Sequence, residues 1–191
     1  MHHDTAPEPD LAGFSLRPMT AVDIGDWYAY LSDPAAIEHT SWSLGSAADL
    51  APLIAEYNGG LPGSQRRFAI HSGALNRLVG TIGFHTISPV NKTAELAYDL
   101  HPAFWGQGIA SACVKAVIAW AVAQHAYVRI QATVLDSNGA SARVLEKCGF
   151  QYEGTLRRYR FVRGVPRDYA MYAWLPLSSP TAAASPAAGS P

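Results

Sequence analysis

The chain has 191 residues, about one domain's length, and sets 14 Lys and Arg against 15 Asp and Glu for a formal net charge of −1. Hydrophobic residues make up 49% and charged ones 15%, which excludes a highly charged disordered chain and fits a compact domain with a sizeable core. The charge balance gives no global pull toward nucleic acid or an anionic membrane, and neither is expected as a partner.

Residues 1–12 read as a flexible, Pro-containing leader without the apolar core of a signal peptide, so a cytoplasmic location is expected. FSLRPM (14–19) reads as the first strand. Thr20 caps a helix that runs to Leu31 and stops at Ser32-Asp33-Pro34; Ser46 caps a second that closes at Asn58-Gly59-Gly60. RRFAIHS, RLVGTIGFHTI and KTAELAYDLH follow as three strands, the first two joined by a turn at Ser72–Asn76. From Gly106 to Gln124 runs a long helix, apolar nearly all round and hence buried on most sides; Lys115 interrupts it well short of a membrane span. VRIQATVL is a strand, Asn138–Lys147 a helix closed by Gly149, and Phe150–Leu175 two strands turning near Arg163-Gly164-Val165-Pro166. The Pro/Ala/Ser tract 177–191 reads as disordered, which leaves 13–176 as the one folded domain. The order β-α-α-β-β-β-α-β-α-β-β predicts an α/β (α+β) fold on a mixed sheet, antiparallel before the long helix.

Three segments carry chemistry. In AELAYDLHPAFWGQGIASA a strand leads through a loop into a helix opening on Gly106 and Gly108, followed by the small residues Ala110, Ser111 and Ala112. Glycine lets a phosphate reach the backbone, and the N–H groups of a first helical turn, with the helix dipole, favour negative charge. Such a cradle needs no lysine, in keeping with the missing Gly-Lys-Ser/Thr ending of a P-loop; two glycines also simply turn a chain. In DSNGASARVLEKCGF, Asn138 and Ser141 lie three apart on a first helical turn, set either to address one ligand or to cap the helix. Glu95 sits inside the alternating strand Ala94-Glu95-Leu96-Ala97-Tyr98, where a carboxylate is either on a wet face or held for a purpose.

Cys113 and Cys148 build neither a disulfide framework nor a zinc site alone and read as small buried hydrophobes. His39, His71, His85, His101 and His125 lack metal-ligand spacing, so no metal is expected. Trp27, Tyr28, Tyr30 and Trp42 read first as core aromatics.

Together, LVGTIGFHTISPVNKTAELAYDLHPAFWGQGIA, DSNGASARVLEKCGFQYEGTLRRY and GVPRDYAMYAWL resemble the GCN5-related N-acetyltransferase (GNAT) superfamily, and within it the ribosomal-protein alanine/serine N-acetyltransferase branch. The likeness covers residues 14–175. It implies a mixed, mostly antiparallel sheet splayed between the fourth and fifth strands and flanked by helices. It also implies transfer of acetyl from acetyl-CoA directly to a primary amine, of a protein N-terminus or a small molecule. By the same resemblance the pantetheine arm pairs with backbone at Tyr98, Asp99 and Leu100. The pyrophosphate then rests on Gly106, Gln107, Gly108, Ile109, Ala110 and Ser111, Asn138 hydrogen-bonds the cofactor, and Ser141 lies near the sulfur. Glu95 is then the first-choice base for the acceptor's ammonium, Ser141 the proton donor to sulfur, and Glu153 a second carboxylate near the acceptor. Trp42, His85, Arg158 and Arg160 are expected to line the acceptor site. The chain departs from the superfamily at two positions. Trp105 stands where the phosphate loop usually starts with Arg or Gln, and Leu145 where many members place a tyrosine acid.

LRRYRFVRGVPRDY puts Arg157, Arg158, Arg160, Arg163 and Arg167 on the last two strands and their turn, alternation setting Arg158 and Arg160 on one face. They form either a solvated outer face, with Asp168 as cross-strand partner, or an entrance that steers an acidic acceptor. Such an acceptor is an acidic protein N-terminus or a carboxylate-bearing small amine. Three rival readings stand beside the enzyme. A Rossmann dinucleotide enzyme lacks its ribose-binding acid, because Tyr127-Val128-Arg129 occupies that zone. A non-catalytic acyl-CoA-binding module would keep Gly106–Ser111 and Asn138 without needing a base, and a partner-binding protein would keep only a relic of the pocket. Pairing of two copies as a homodimer is left open.

Overall fold

β1 (Phe14–Pro18), β2 (Arg66–Ser72), β3 (Arg77–Ser88), β4 (Thr93–Leu100), β5 (Arg129–Leu135), β6 (Gln151–Val162) and β7 (Val165–Trp174) form one sheet in the order β1-β2-β3-β4-β5-β7-β6. This is a computed structural model, and it describes residues 5–59 and 63–176; the first four residues and the expected disordered tail 177–191 lie outside the described residues. Every neighbouring pair of strands is antiparallel except β4 and β5. The helices are α1 (Ile24–Leu31), the single turn α2 (Pro34–Ile37), α3 (Ala51–Tyr57), α4 (Ile109–His125) and α5 (Gly139–Lys147).

Alternation along β4 sorts the two layers. Ala94, Leu96 and Leu100 pack with Ile109, Cys113, Val114 and Val117 of α4 in the larger core, which α5 joins through Leu145. On the opposite face Met19, Trp27, Tyr30 and Leu31 pack with Leu50, Ile54 and Tyr57 in a second core. The two expected caps each introduce a single 3-10 turn before the α-helix proper, Ala21–Asp23 and Ala47–Leu50. In each an acid three residues on reaches back: Asp23 Oδ2 accepts from Thr20 N at 2.8 Å, and Asp49 Oδ2 from Ser46 N at 3.0 Å.

Two boundaries differ from the sequence reading. Ser32-Asp33-Pro34 does stop α1, but Asp33 Oδ1 then accepts from Ala35 N at 2.9 Å, and Pro34 opens α2. The long helix starts three residues late because Gly106 and Gly108 hold φ of +74° and +78°, a left-handed turn that costs other residues about 1–2 kcal/mol each. In the described part of the leader, Thr5 O accepts from Trp120 Nε1 at 2.6 Å, and Ala6 and Leu11 pack on the larger core.

A buried polar network ties α1 to the sheet. The Asp99 carboxylate accepts from the Arg67 guanidinium, the Tyr30 hydroxyl and Thr81 Oγ1, while Arg67 Nε donates to Thr81 Oγ1 at 2.7 Å. Asp99 and Arg67 are both buried, so neither charge has water to fall back on. Asp99→Ala is expected to strand the guanidinium and cost about 3–5 kcal/mol in urea denaturation, with Asp99→Asn losing less.

Candidate active site

Parallel pairing of β4 with β5 lasts for three residue pairs: Thr93 with Arg129, Ala94 with Ile130 and Glu95 with Gln131. Beyond them β4 stays on β3 as far as Leu100, and β5 stays on β7 as far as Leu135, so the sheet opens between the two strands. His101 N donates to Val79 O at 2.8 Å, which fixes the phase of the β3–β4 ladder. Alternation then turns the backbone groups of Asp99 toward β3 and those of Tyr98 and Leu100 toward the opening. An extended ligand can add there as a strand. One acceptor is already used: Trp105 Nε1 donates to Leu100 O at 2.7 Å, bracing the loop before the glycine turn.

The outer end of the opening suits an anion. A Cβ on Gly106 or Gly108 would meet nothing of the protein within 4 Å, so open space lies over both left-handed residues. The first intrahelical bond of α4 is Ala112 N to Gly108 O at 3.0 Å, so the N–H groups of Ile109, Ala110 and Ser111 have no partner within the helix. Gln107 instead folds back, its Nε2 donating to Ala103 O at 2.9 Å. Asn138 Oδ1 accepts from Ser141 N at 3.0 Å as the N-cap of α5, so its amide Nδ2 is the group that can address a ligand. Tyr98 OH donates to Ser141 O at 3.2 Å, and burial raises its pKa far above the phenol range, so it remains a neutral donor. Leu145 is fully buried and supplies no acid.

At the closed end stands Glu95, 5% exposed. Its Oε1 meets Thr133 Oγ1 at 2.9 Å, His85 Nε2 at 3.1 Å and Arg160 Nη2 at 3.1 Å; Gln131 Nε2 lies 3.4 Å from Oε2. Burial alone would raise the carboxyl pKa, but the hydrogen bond and charge of His85, the Thr133 hydroxyl and Arg160 together lower it from 4.5 to about 2. His85 is the extra residue of a β-bulge between Phe84 and Thr86, which re-aims it beside Glu95. Arg160 lies over the rings of Tyr159 and Tyr169, 5.0 and 5.6 Å from their centroids. A strap crosses this face. α1 is tied to β4 through Asp99, whereas α2 and its sequel are tied beyond the opening. There Arg163 donates to Ile37 O at 2.6 Å and Glu38 O at 3.1 Å, and His39 Nδ1 lies 3.1 Å from Ser137 Oγ.

The expected residues thus gather in two groups: Glu95, His85 and Arg160 at the closed end, and Tyr98, Leu100, Gly106, Gly108, Ser111, Asn138 and Ser141 along the opening and at its outer end. Others fall elsewhere. Asp99 points both its carboxylate and its backbone away from the opening. Glu153 is exposed and paired with Arg129 at 2.5 and 2.9 Å, a partnership that lowers its pKa. Trp42 packs edge-on against Trp27 at 5.5 Å in the second core. Arg158 does not share a face with Arg160 through simple alternation. A register shift leaves three residues between Leu156 and Arg160 opposite one on β7, and exposed Arg158, at φ +51°, gives its N–H to Asp168 Oδ1 at 2.7 Å. Thr133 and Gln131 were missed, although the alternation Ile130-Gln131-Ala132-Thr133-Val134 marks a polar pair on one face of β5. Among the described residues no three His, Cys, Asp or Glu side chains cluster so as to hold a metal ion, and no helix is long and apolar enough to cross a membrane.

A sheet split at its one parallel pair, with an anion-ready helix start beside the split, is the architecture of an acetyltransferase. The acetyltransferase (GNAT) domain model matches residues 14–151, and the chain belongs to this family. Among curated relatives, the N-acetyltransferase p20 of Bacillus licheniformis is 32% identical over 165 residues, 84% of this chain and 92% of that protein. The N-acetyltransferase YoaA of Bacillus subtilis is 38% identical over 106 residues, 56% of this chain but only 60% of that protein. Two solved structures share the fold at 20% identity and a TM-score of 0.76. One is a ribosomal-protein-S5-alanine acetyltransferase from Vibrio fischeri, covering 87% of this chain and 94% of that one. The other is the microcin C7 self-immunity acetyltransferase MccE in complex with acetyl-CoA and AMP, covering 86% and 93%.

Glu95 also sets a pH dependence. Its folded pKa of about 2 lies below the ordinary 4.5, so the stability it contributes is complete above about pH 4.5 and is lost as pH falls toward 2. Urea midpoints measured through that window should fall less steeply for Glu95→Gln than for the wild type.

Proposed function

We propose that the protein transfers acetyl from acetyl-CoA to a primary amine, the cosubstrate lying along the opening and the amine arriving on the Glu95 face. The observation that carries this reading is the opening itself, with strand-ready backbone at Tyr98 and Leu100 and clear space over Gly106 and Gly108. The residues fit acetyl-CoA. Gly106–Ser111 would hold the pyrophosphate, Tyr98 and Leu100 the pantetheine amides, and the Asn138 amide a further polar group. When bound, acetyl-CoA supplies an activated acetyl thioester.

The chain's own residues supply the rest. Ionised Glu95 attracts an ammonium to the closed end. Backbone N–H on the opened edge of β4 is placed to polarise a carbonyl. Ser141, at the start of α5 against Tyr98, is the candidate donor to sulfur. A non-catalytic acyl-CoA binder would have no use for a buried carboxylate met by four polar side chains on the amine face.

Calorimetry should give heat with acetyl-CoA and none with NAD, and free thiol should appear only when an amine is added. Gly108→Val adds a branched side chain in the space over the turn and strains its φ, and should abolish acetyl-CoA binding. Asn138→Ala should weaken it by about 1 kcal/mol, one hydrogen bond. Unchanged affinity in both variants would rule out this placement.

Arg160 sharpens the acceptor. It is the arginine of the β6–β7 hairpin that meets Glu95, while Arg163 and Arg167 are engaged with Ile37, Glu38 and Asp136. An acceptor whose amine approaches Glu95 therefore brings its neighbouring groups to a guanidinium, which favours an acidic protein N-terminus or a carboxylate-bearing small amine and disfavours a polyamine. Acidic peptides should be acetylated faster than basic ones, with the gap narrowing as salt rises and reversing in Arg160→Glu. Equal rates for spermidine-like polyamines and acidic peptides would exclude this acceptor class.

A further inference from the structure

Resting on the acetyl-transfer reading above, we propose that His85, and not Glu95, is the base that takes the acceptor's proton, with Glu95 holding the cation and orienting the ring. The two roles have opposite demands. A carboxylate with a pKa of about 2 stays ionised and holds an ammonium well, but it drives proton removal poorly, because a general base works best near the operating pH. An imidazole is the side chain whose ordinary range suits that task.

The geometry assigns the atoms. His85 Nε2 lies 3.1 Å from Glu95 Oε1, and Nδ1 lies 3.0 Å from Thr86 Oγ1. A carboxylate can only accept, so Nε2 carries the hydrogen; in the neutral ring Nδ1 then keeps its lone pair and accepts from the Thr86 hydroxyl. Thr86 is exposed and pairs in register with Glu95, so the lone pair opens on the acceptor face rather than into the core. The His85 side chain is 26% exposed, within reach of an incoming amine. The charged and polar groups facing this pair are Arg160 of β6 and Thr133 and Gln131 of β5, all meeting the Glu95 carboxylate.

The acceptor ammonium replaces the Thr86 hydroxyl as donor to Nδ1. One proton moves from nitrogen to Nδ1, giving an imidazolium held by Glu95 and a neutral amine. The amine nitrogen bonds to the acetyl carbon as the carbon–sulfur bond breaks; its second proton goes to the departing sulfur, and the imidazolium returns its own to water. The products are amide, free thiol and one proton.

The test compares His85→Gln, His85→Asn and Glu95→Gln with wild type, using acetyl-CoA calorimetry, thiol release with a panel of short N-terminal peptides and amino acids, and nitrogen-15 NMR of the ring. Wild type that binds acetyl-CoA but releases no thiol with any amine overturns the acetyl-transfer reading and this inference with it. With that activity present, both His85 variants should bind acetyl-CoA as wild type does and lose about 10²–10⁴-fold in kcat/KM at neutral pH. Their pH profiles should differ in shape from that of wild type, and added imidazole should restore part of the rate. NMR at high pH should find the hydrogen on Nε2. Retention of wild-type rate and pH profile by His85→Gln, or a ring protonated on Nδ1, overturns the assignment to His85 and leaves the acetyl-transfer reading standing.

Discussion

Three residue pairs hold β4 against β5, and past Glu95 and Gln131 each strand follows a different neighbour. Unpaired backbone in the middle of a sheet is costly unless something meets it, so a gap here persists only because both strands are held apart by stronger attachments. β5 is fixed by six residue pairs with β7. β4 is fixed by β3, by the Asp99 network that runs to α1, and by Trp105 at its end. The opening is the space between two anchored edges, and everything placed on either side of it inherits that rigidity.

The two faces of the opening differ in character because β4 alternates. Leu96 and Leu100 sink into the core beneath α4, whereas Glu95 and Asp99 lie on the opposite face, Asp99 against Tyr30 of α1 and Glu95 among side chains of β3, β5 and β6. Each carboxylate is buried, and each is satisfied differently. Asp99 is buried and its carboxylate is taken up by Arg67, Tyr30 and Thr81. Glu95 is met by partners from three other strands, of which His85 and Arg160 are partly exposed. The same strand thus carries a lock at one end and a reactive cluster at the other, two repeats of the pleat apart.

Much of this was legible in the sequence. The strands announced themselves by alternation, α4 by its apolar circumference, and the glycine turn by Gly106 and Gly108, whose left-handed φ only glycine adopts cheaply. Asn138 and Ser141 fall on the first turn of α5 as the spacing indicates, and the cap is made by Asn138 Oδ1, which leaves the other end of the amide uncommitted. What escaped was register. The bulge at His85 and the longer one before Arg160 break the period of two, so alternation alone fixes neither the face of Arg158 nor the contact of His85 with Glu95, although His85 is expected beside that strand. Bulges depend on the partner strand, and no local pattern in one strand encodes them. The pairing of Glu153 escaped for a related reason: its partner Arg129 lies 24 residues away, and only the folded sheet brings them together.

A single acidic group at the closed end would face a conflict that its environment cannot resolve. Every partner that steadies a buried carboxylate as an anion also lowers its proton affinity. Thr133, Arg160 and His85 all push Glu95 in that direction, and they outweigh the burial that would raise it. Weakening them to make Glu95 a better base would leave a buried charge without support and loosen the end of the sheet where the opening begins. Dividing the work removes the conflict: one group stays charged and fixes position, while a neighbour with a different natural titration range exchanges protons. The bulge in β3 matters for that reason. By adding one residue to a strand it sets an imidazole against the carboxylate without disturbing the pairs on either side.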